Sequence, residues 1–243
     1  MDLIKLLRSQ GFGSRNEVKY LIENEFVRIN GELEKDWKKS FKNPFGIEIS
    51  VDEEVFVTQE HLYIVMNKPA DYETSHKPKH HLSVFELLPE RFLRRNVQAV
   101  GRLDVDTTGL LLFSDDGQFI HQVSSGNKRC VKTYEVGAKH PTTSAFFEHL
   151  LNGVLLHDDN ETVAALSCHS VDECRFSMQI DSGKYHQVKR MVAAASNRVE
   201  TLHRTAIGQF LLPAELEAGQ WRYLNETEVQ ACLSKAESQT RTE

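Results

Sequence analysis

The sequence has few cysteines and no long apolar run, and its first residues lack the pattern expected of a secretory leader. No C-x-x-C pair occurs among its four cysteines, Cys130, Cys168, Cys174 and Cys232. This spacing argues against a zinc site and a redox motif, and we expect reduced cysteines that pack in the core. Apolar runs such as Leu110–Phe113 and Met191–Ala195 are far shorter than the roughly 20 residues that cross a bilayer, so we expect no membrane span. The start, MDLIKLLRSQ, lacks the apolar segment and cleavage site of a signal peptide, which predicts a cytoplasmic protein.

Excess positive charge is also missing from the chain as a whole. Its 243 residues carry a formal net charge of −6, and the sequence pI is about 6.0, which argues against indiscriminate electrostatic binding to nucleic acid. Residues 1–42 nevertheless have a net charge of +2, so the overall acidity does not exclude a local basic groove. Hydrophobic residues make up 40% and charged residues 26%, which excludes a collagen-like or mostly disordered chain.

The first 60 residues predict a small domain of two short helices and a β-turn unit. Ser14 and Glu17 have the spacing of a capping box, which starts the second helix. Asn30-Gly31 between apolar residues is the strongest short hairpin signal. Three cations, Arg15, Lys19 and Arg28, fall on the second helix and the following strand. We predict a domain boundary near residue 60 and either an RNA-binding or a merely solvated basic face on residues 1–60.

Residues 61–233 predict an α+β domain. Apolar and alternating stretches at 62–66, 110–113, 133–137 and 175–180 indicate strands, and residues 186–195 have the apolar spacing of an amphipathic helix. Because the elements lack regular β-α-β spacing, we expect a mixed, mainly antiparallel sheet with flanking helices. Residues 234–243 are polar and predict a disordered tail. We interpret Arg91, Arg94 and Arg95 as a basic surface of a helix.

Several familiar catalytic motifs are absent. The sequence contains no Walker A motif, no G-x-G-x-x-G after a strand, no G-x-S-x-G and no H-E-x-x-H, which argues against most cofactor-based enzymes. His76, His80 and His81 lie close together in a Lys-rich stretch but lack metal-ligand spacing. We therefore predict surface or RNA-facing histidines, no metal site and no cofactor.

Two polar clusters stand out from the rest of the chain. The first, GRLDVDTTGL, places Asp104 and Asp106 just before an apolar strand. Such aspartates either cap a turn or form the carboxylate pair of a glycosidase. The second, GKYHQVKRM, lies at a predicted helix N-terminus, where free amides and the helix dipole attract anions. On composition alone, phosphate binding by this second cluster is a reasonable hypothesis.

These clusters, together with Lys132-Thr133-Tyr134, resemble the three active-site motifs of RNA pseudouridine synthases in order and spacing. Residues 1–60 resemble the S-four-type RNA-binding domain that precedes the catalytic domain in the ribosomal branch of that family. The resemblance implies isomerisation of a uridine in small-subunit (16S) rRNA. A large-subunit uridine, a non-catalytic rRNA-binding or ribosome-assembly protein, and a glycoside hydrolase are the alternatives.

The resemblance also implies roles for individual residues. Asp104 is the family's catalytic aspartate, Lys189 is the cation that keeps it ionised, and Tyr134 is the aromatic residue that stacks on the target base. Many relatives have arginine where this chain has Lys189, and lysine cannot form arginine's bidentate pair. The chain's RNA-binding candidates are Arg102, His186, Gln187, Arg190, Arg15, Lys19 and Arg28. The expected partner is rRNA within a partly assembled small-subunit particle, bound by a monomer.

Overall fold

A computed structural model describes residues 1–125, 129–156, 158 and 160–234. The helices are α1 Leu3–Ser9, α2 Arg15–Glu23, α3 Glu90–Arg94, α4 Gly117–Ser124, α5 Ser144–Asn152, α6 Gln187–Ala194 and α7 Glu226–Leu233, with a 3₁₀ helix at Val84–Leu87. The strands are β1 Val27–Ile29, β2 Glu32–Leu33, β3 Glu48–Val51, β4 Glu54–Val57, β5 Tyr63–Lys68, β6 Tyr72–Glu73, β7 Leu82–Ser83, β8 Gln98–Ala99, β9 Thr108–Ser114, β10 Lys132–Ala138, β11 Val154–Leu156, β12 Glu161–Val163, β13 Ser167–Ser170, β14 Arg175–Ile180, β15 Val199–Ile207, β16 Phe210–Leu211 and β17 Trp221–Tyr223.

The chain forms two compact units. The first contains residues 1–62 together with 88–98, and the second contains residues 63–87 and the chain from Ala99 onward. Helix α3 therefore groups with the amino-terminal unit although it is separated from it in sequence. Nothing in the sequence pattern predicts that residues 88–98 belong to the first unit.

The first unit packs α1 and α2 against a four-stranded sheet of order β2-β1-β3-β4. Its local signals are confirmed. Ser14 and Glu17 form the capping box at the start of α2. Asn30 and Gly31 both have positive φ, 50° and 83°, as the two-residue turn between β1 and β2 requires.

The arginines in and beside helix α3 do not all form the exposed basic surface that the sequence predicts. Only 8% of Arg91 is exposed, because its guanidinium pairs with Glu54 and stacks on the rings of Phe12, Phe56 and Phe92. The prediction of an exposed basic helix surface is therefore wrong for Arg91. Arg95 also contacts the first unit, where its guanidinium donates to the backbone carbonyl of Glu60.

The second unit is built on a nine-stranded sheet with the main path β13-β14-β10-β15-β9-β5-β17. Strands β9 and β15 run parallel, whereas β5 pairs antiparallel with β9 and β17, and β10 pairs antiparallel with β14 and β15. The prediction of a mixed, mainly antiparallel α+β sheet is confirmed. Residues 109–114 of β9 are buried, so the apolar run after the first polar cluster forms the centre of the sheet.

Smaller expectations have mixed outcomes. Cys130 and Cys232 are buried, but Cys168 and Cys174 are only half-buried, so the core prediction is wrong for the second pair. Ser234 ends α7, and its hydroxyl accepts from the backbone N–H of Gln209. The remainder of the predicted tail lies outside the described residues. Within the described chain, each helix is too short or too polar to cross a bilayer.

Candidate active site

Asp104 stands on a tight turn that leads into β9. The backbone N–H of Thr107 donates to the carbonyl of Asp104 at 3.1 Å, which closes the turn. The turn ends at Gly109, whose φ is +99° and whose missing Cβ would lie 2.4 Å from the carbonyl oxygen of Arg204. Glycine therefore lets β9 run close beside β15. The Asp104 side chain does not cap this turn, because its carboxylate is engaged by residues of the second polar cluster.

Lys189 and His186 converge on the Asp104 carboxylate. The Lys189 Nζ lies 3.0 Å from Asp104 Oδ2 and 2.6 Å from Asp106 Oδ1. The His186 Nε2 lies 3.2 Å from the other oxygen, Asp104 Oδ1. The predicted proximity of Lys189 and Asp104 is confirmed. Both carboxylate oxygens of Asp104 are therefore held in fixed positions by groups from the start of α6.

The backbone before α6 directs these groups. His186 is the N-cap residue of α6 and has the left-handed φ of 48°. Its ring stacks on the largely exposed ring of Tyr185, with 3.8 Å between centroids. Lys189 follows three residues later, on the first turn of the helix, so both residues reach the same carboxylate. This spacing explains why the GKYHQVKRM motif carries its polar residues at a helix start.

The Lys189 ammonium favours the ionised form of Asp106. Burial raises the pKa of Asp106, but the hydrogen bond and charge of Lys189 outweigh burial and leave this pKa below its ordinary value. Burial lowers the pKa of Lys189, but its hydrogen bonds to Asp106 and Asp104 outweigh that effect and raise the pKa overall. A glycosidase needs one carboxyl group with a raised pKa as its acid. The shared ammonium makes Asp106 unsuitable for that role.

A cavity of about 110 Å³ opens beside Asp104. Tyr134 lines it from β10, where it is the register partner of Arg204 on β15. Tyr134 is 8% exposed, so its ring forms part of the cavity wall and is not on the protein surface. Asp104, Tyr134 and Lys189, which lie far apart in sequence, thus line one cavity in the second unit.

The predicted RNA-binding residues of the second cluster have different environments. Arg102 is exposed and lines both the cavity and an adjoining groove that contains Tyr185. Gln187 is 4% exposed, and its amide bonds to the hydroxyl of Ser182 and to the backbone N–H of Lys184. The amide of Gln187 thus braces the loop from inside.

Arg190 is also engaged within the protein. Its guanidinium donates to the backbone carbonyl of Tyr185 at 3.2 Å, and its Nε lies 3.5 Å from the Asp158 carboxylate. These contacts tie the loop before α6 to the helix. In the Lys-rich segment, His76 stacks on Phe85 with 3.7 Å between centroids, and the backbone N–H groups of His80 and His81 donate to the Glu73 carboxylate at the adjoining groove.

Lys68 is a site residue that the sequence did not reveal. It is completely buried at the end of β5, and its Nζ donates to the backbone carbonyls of Pro69, Asp104, Val105 and Thr107. Burial lowers its pKa to about 8, against the opposing charges of Asp106 and Asp104. The Asn67-Lys68-Pro69 sequence signals only the end of a strand. Lys68 thus acts as the internal anchor of the Asp104 turn.

Metal-ligating side chains do not cluster at this site. Over the part of the chain that the structure describes, no group of three histidine, cysteine, aspartate or glutamate residues could hold a metal ion. The side chains that contact the Asp104 carboxylate are the Lys189 ammonium and the His186 imidazole.

The amino-terminal unit has a separate basic groove of about 150 Å³ on its own surface. Arg15 lines it with Arg8 and Trp37. Lys19 and Lys38 lie over the Trp37 ring, with their Nζ atoms 5.3 and 4.9 Å from its centroid. The charged residues that line this groove also include Lys5 and Asp2. Arg28 is exposed on β1, where its charge acts on Glu25.

Comparison with known proteins identifies the family of this chain. The family model described as RNA pseudouridylate synthase matches residues 62–194. The ribosomal small subunit pseudouridine synthase A of Vibrio parahaemolyticus is 37% identical over 94% of this chain and 98% of its own. The Escherichia coli protein of that name is 34% identical over the same shares. A crystal structure of a pseudouridylate synthase superposes with a TM-score of 0.67 at 32% identity, covering 96% of this chain and 99% of that one.

The second unit is an α+β unit in which the Asp104 carboxylate lies between the side chains of Lys189 and His186 and borders a cavity, an arrangement that suits an enzyme active site. The chain belongs to the RNA pseudouridylate synthase family and is an RNA pseudouridine synthase.

Proposed function

We propose that this enzyme converts a uridine of small-subunit (16S) rRNA into pseudouridine, with Asp104 as its catalytic carboxylate. The observation that carries the proposal is the Asp104 carboxylate, which lies between Lys189 and His186 and borders the cavity lined by Tyr134. The reaction replaces the N1–C1′ bond of uridine with a C5–C1′ bond. It transfers no electrons to an acceptor, so it requires no redox cofactor.

The cation at Lys189 suits the chemistry of Asp104. An ionised carboxylate is needed whether it attacks the sugar, attacks the base or removes a proton from the ribose, and an adjacent ammonium favours the charged form. The 3.0 Å contact supplies this stabilisation as a point charge. The turn anchored by Lys68 holds the carboxylate in place, which limits the reorganisation that the reaction requires.

The target uridine must leave its stack to reach Asp104. Extrusion of a nucleotide costs a few kcal/mol, which stacking and hydrogen bonds in the pocket must offset. Tyr134 is the cavity's aromatic wall and the candidate for stacking on the base, and its hydroxyl is a candidate for proton removal from the new carbon link. Arg102 is exposed at the entrance, so it is our candidate for contacts to flanking phosphates. His186 and Gln187 shape the same entrance, and Arg190 braces it from α6.

We assign residues 1–60, which form most of the amino-terminal unit, to docking on RNA as an S-four-type domain, and the second unit, which holds most of residues 61–233, to catalysis. Arg15 and the Trp37 ring, over which Lys19 and Lys38 lie, combine positive charge with an aromatic face, which is the pattern of nucleic-acid-binding surfaces. Arg28 extends the positive charge along β1. An overall charge of −6 limits non-specific attraction, so shape supplies much of the specificity. A partly assembled small-subunit particle in the cytoplasm, bound by a monomer, is the substrate that fits.

The small-subunit assignment follows the names of the relatives, which align over nearly their full lengths. A large-subunit uridine and a non-catalytic assembly role are the competing hypotheses. Pseudouridine mapping of all rRNA in cells with and without the gene separates them. We expect one small-subunit pseudouridine to disappear. Loss of a large-subunit pseudouridine, or no loss, would overturn the assignment.

The decisive variant is Asp104→Asn, which removes the charge and keeps the shape. We expect it to restore no pseudouridine in the deletion strain and to bind rRNA with almost unchanged affinity. Asp106→Asn is the matched control, because Asp106 contacts the same lysine but its side chain is 71% exposed. The control should retain most of the activity. Near-normal product formation by Asp104→Asn would remove Asp104 from its proposed role.

A further inference from the structure

Two buried polar atoms without hydrogen-bond partners belong to residues that line the cavity beside Asp104. Arg204 is 3% exposed and Thr107 is 1% exposed, and both line this cavity. The Arg204 Nε donates to the carbonyl of Leu110 at 2.7 Å, but Arg204 Nη2 has no partner in the described chain. The same is true of Thr107 Oγ1. A buried donor without an acceptor is costly, so the pair indicates groups that a ligand completes.

A second buried cation lies on the same wall. Lys132 is 6% exposed and precedes Tyr134 by two residues on β10, so both side chains are on one face of the sheet. Its Nζ donates to the carbonyl of Cys130 at 2.8 Å, which leaves two further N–H donors. Burial lowers the pKa of Lys132, and the charge of Arg204 lowers it further.

No carboxylate of the described residues forms an ion pair with Lys132 or Arg204. Two buried cations that repel each other are unfavourable unless a negatively charged group binds between them. Asp181 acts on Lys132 only through a weaker charge effect. The part of the cavity lined by Lys132 and Arg204 is therefore suited to an anion or to carbonyl oxygens that gain negative charge.

The isomerisation generates such a charge on the base. When the N1–C1′ bond breaks, its electron pair remains on the uracil and spreads over N1, O2 and O4. The C5 carbon then bonds to C1′, the proton of C5 is lost to a base and N1 gains a proton, so atoms and electrons balance. The base is most negative between bond cleavage and bond formation, and donors placed at O2 or O4 stabilise it most at that stage.

We propose that Arg204 and Lys132 form a uracil-anion site: they donate to the carbonyl oxygens of the target base, and the Thr107 hydroxyl completes its polar edge. This inference rests on the proposed function, because it takes the target base to enter the cavity beside Asp104. The site also disfavours cytosine, whose amino group at C4 would face a cationic donor where uracil presents an oxygen acceptor. An RNA phosphate is the other anion that two cations could bind, and the test separates the two.

The test uses single-turnover kinetics on RNA that carries the mapped uridine. We expect Arg204→Met to lower the rate constant at saturating enzyme by about 10²-fold, the effect of losing one donor to a developing oxyanion, with little change in the dissociation constant for RNA. Lys132→Met should show a smaller loss of the same kind. Arg198→Met is the matched control, since Arg198 is exposed beside the start of β15, and it should retain the wild-type rate.

Replacing one substrate oxygen by sulfur tests the contact in folded wild-type protein. RNA with 2-thiouridine or 4-thiouridine at the target offers a weaker acceptor, so one of these substitutions should slow the wild-type enzyme and have much less effect on Arg204→Met. Equal effects of both sulfur substitutions in the two proteins would overturn the inference, even if Arg204→Met is poorly folded and slow.

Other outcomes also decide the matter. If Arg204→Met binds RNA more weakly with a reduced salt slope and keeps its rate at saturation, the cations bind a phosphate and the inference fails. A wild-type rate for both methionine variants would likewise refute it. Asp104→Asn serves as the reference. If Asp104→Asn is inactive while Arg204→Met has wild-type kinetics, the uracil-anion site is rejected and the proposed function stands.

Discussion

The buried ammonium of Lys68 donates a hydrogen bond to the backbone carbonyl of Asp104 at 3.1 Å. Lys68 ends β5, which lies between β9 and the edge strand β17, whereas Asp104 stands on the turn that enters the neighbouring strand β9. The same Nζ also donates to Val105 and Thr107 at 3.3 and 3.0 Å. A single cation thus fixes the backbone of the turn while Lys189 and His186 hold the carboxylate, so the backbone and the side chain of Asp104 have separate supports.

We predict that Lys68→Met lowers kcat on the order of 10²-fold with little change in KM for RNA, because the Asp104 turn loses its anchor and small displacements of a catalytic group are costly. Steady-state kinetics with a tritium-release assay measures both constants. Lys139→Met, at an exposed lysine of the same unit, is the control and should behave as wild type. A Lys68→Met enzyme with normal kcat would show that the turn holds its shape without the ammonium.

Lys68 also predicts a dependence of stability on pH. Its pKa is about 8 in the folded chain because of burial, compared with 10.5 for an ordinary lysine. Between these values the unfolded chain binds one more proton than the folded chain, so the free energy of unfolding rises with pH, by up to roughly 1.4 kcal/mol per unit. Below pH 8 both states are protonated and this contribution is constant.

Comparison with Lys68→Met isolates this effect, because the other titrating groups cancel. We expect the free energy of unfolding of the wild type, measured by urea denaturation, to rise relative to the variant from about pH 8 to pH 10.5. A constant difference across this range would mean that Lys68 retains an ordinary pKa when folded.

The elements that were predictable from sequence depend on short-range physics. Ser14 and Glu17 are one helical turn apart, and Asn30-Gly31 meets the backbone requirement of its own turn, so each local pattern specifies its structure. The proximity of Asp104 and Lys189 was accessible only through the family resemblance of their motifs. Their contact joins a turn before β9 to a helix after β14, and no local rule brings such distant elements together.

Lys68, Arg91 and Arg204 escaped prediction for the same reason. Lysine and arginine are mostly exposed, and their burial here depends on partners remote in sequence. The acceptors of Lys68 lie mainly in the Asp104 turn, Glu54 pairs with Arg91, and Leu110 accepts from Arg204. A buried cation has no signature in hydrophobic periodicity, because its charge interrupts the pattern that marks a core position.

Lys189 provides a third prediction. Lys189→Met should raise the pKa of Asp106, because the lysine's hydrogen bond and charge outweigh burial and keep that pKa low. Asp104 and Asp106 would then face each other without their shared cation, so we expect at least a 10-fold loss of kcat and an acid limb of the pH–rate profile that moves to higher pH.

Titration of the aspartate carboxyl carbons by NMR measures the first effect, and kcat against pH measures the second. Lys189→Arg is the matched variant, since it keeps the charge and should retain much of the activity. Full activity of Lys189→Met with an unmoved acid limb would assign the stabilisation of Asp104 to His186 instead.

The last prediction concerns the basic groove of the amino-terminal unit. Arg15 lines the groove, and Lys19 lies 5.3 Å from the centroid of the Trp37 ring while also pairing with Glu23 at 3.3 Å. If both cations contact phosphates, Arg15→Ala with Lys19→Ala should reduce the salt slope of rRNA binding by up to about two, because each lost phosphate contact removes about one released counterion. Binding should weaken alike for all RNA sequences, and the modified uridine should stay the same, since phosphate contacts carry no base information.

Filter binding across a salt series measures the slope. The charge-matched control combines Lys139→Ala with Arg175→Ala, which remove two exposed cations of the other unit. An unchanged slope in the first double variant, or an equal reduction in the control, would show that the groove is solvated surface and that RNA is held by the catalytic unit.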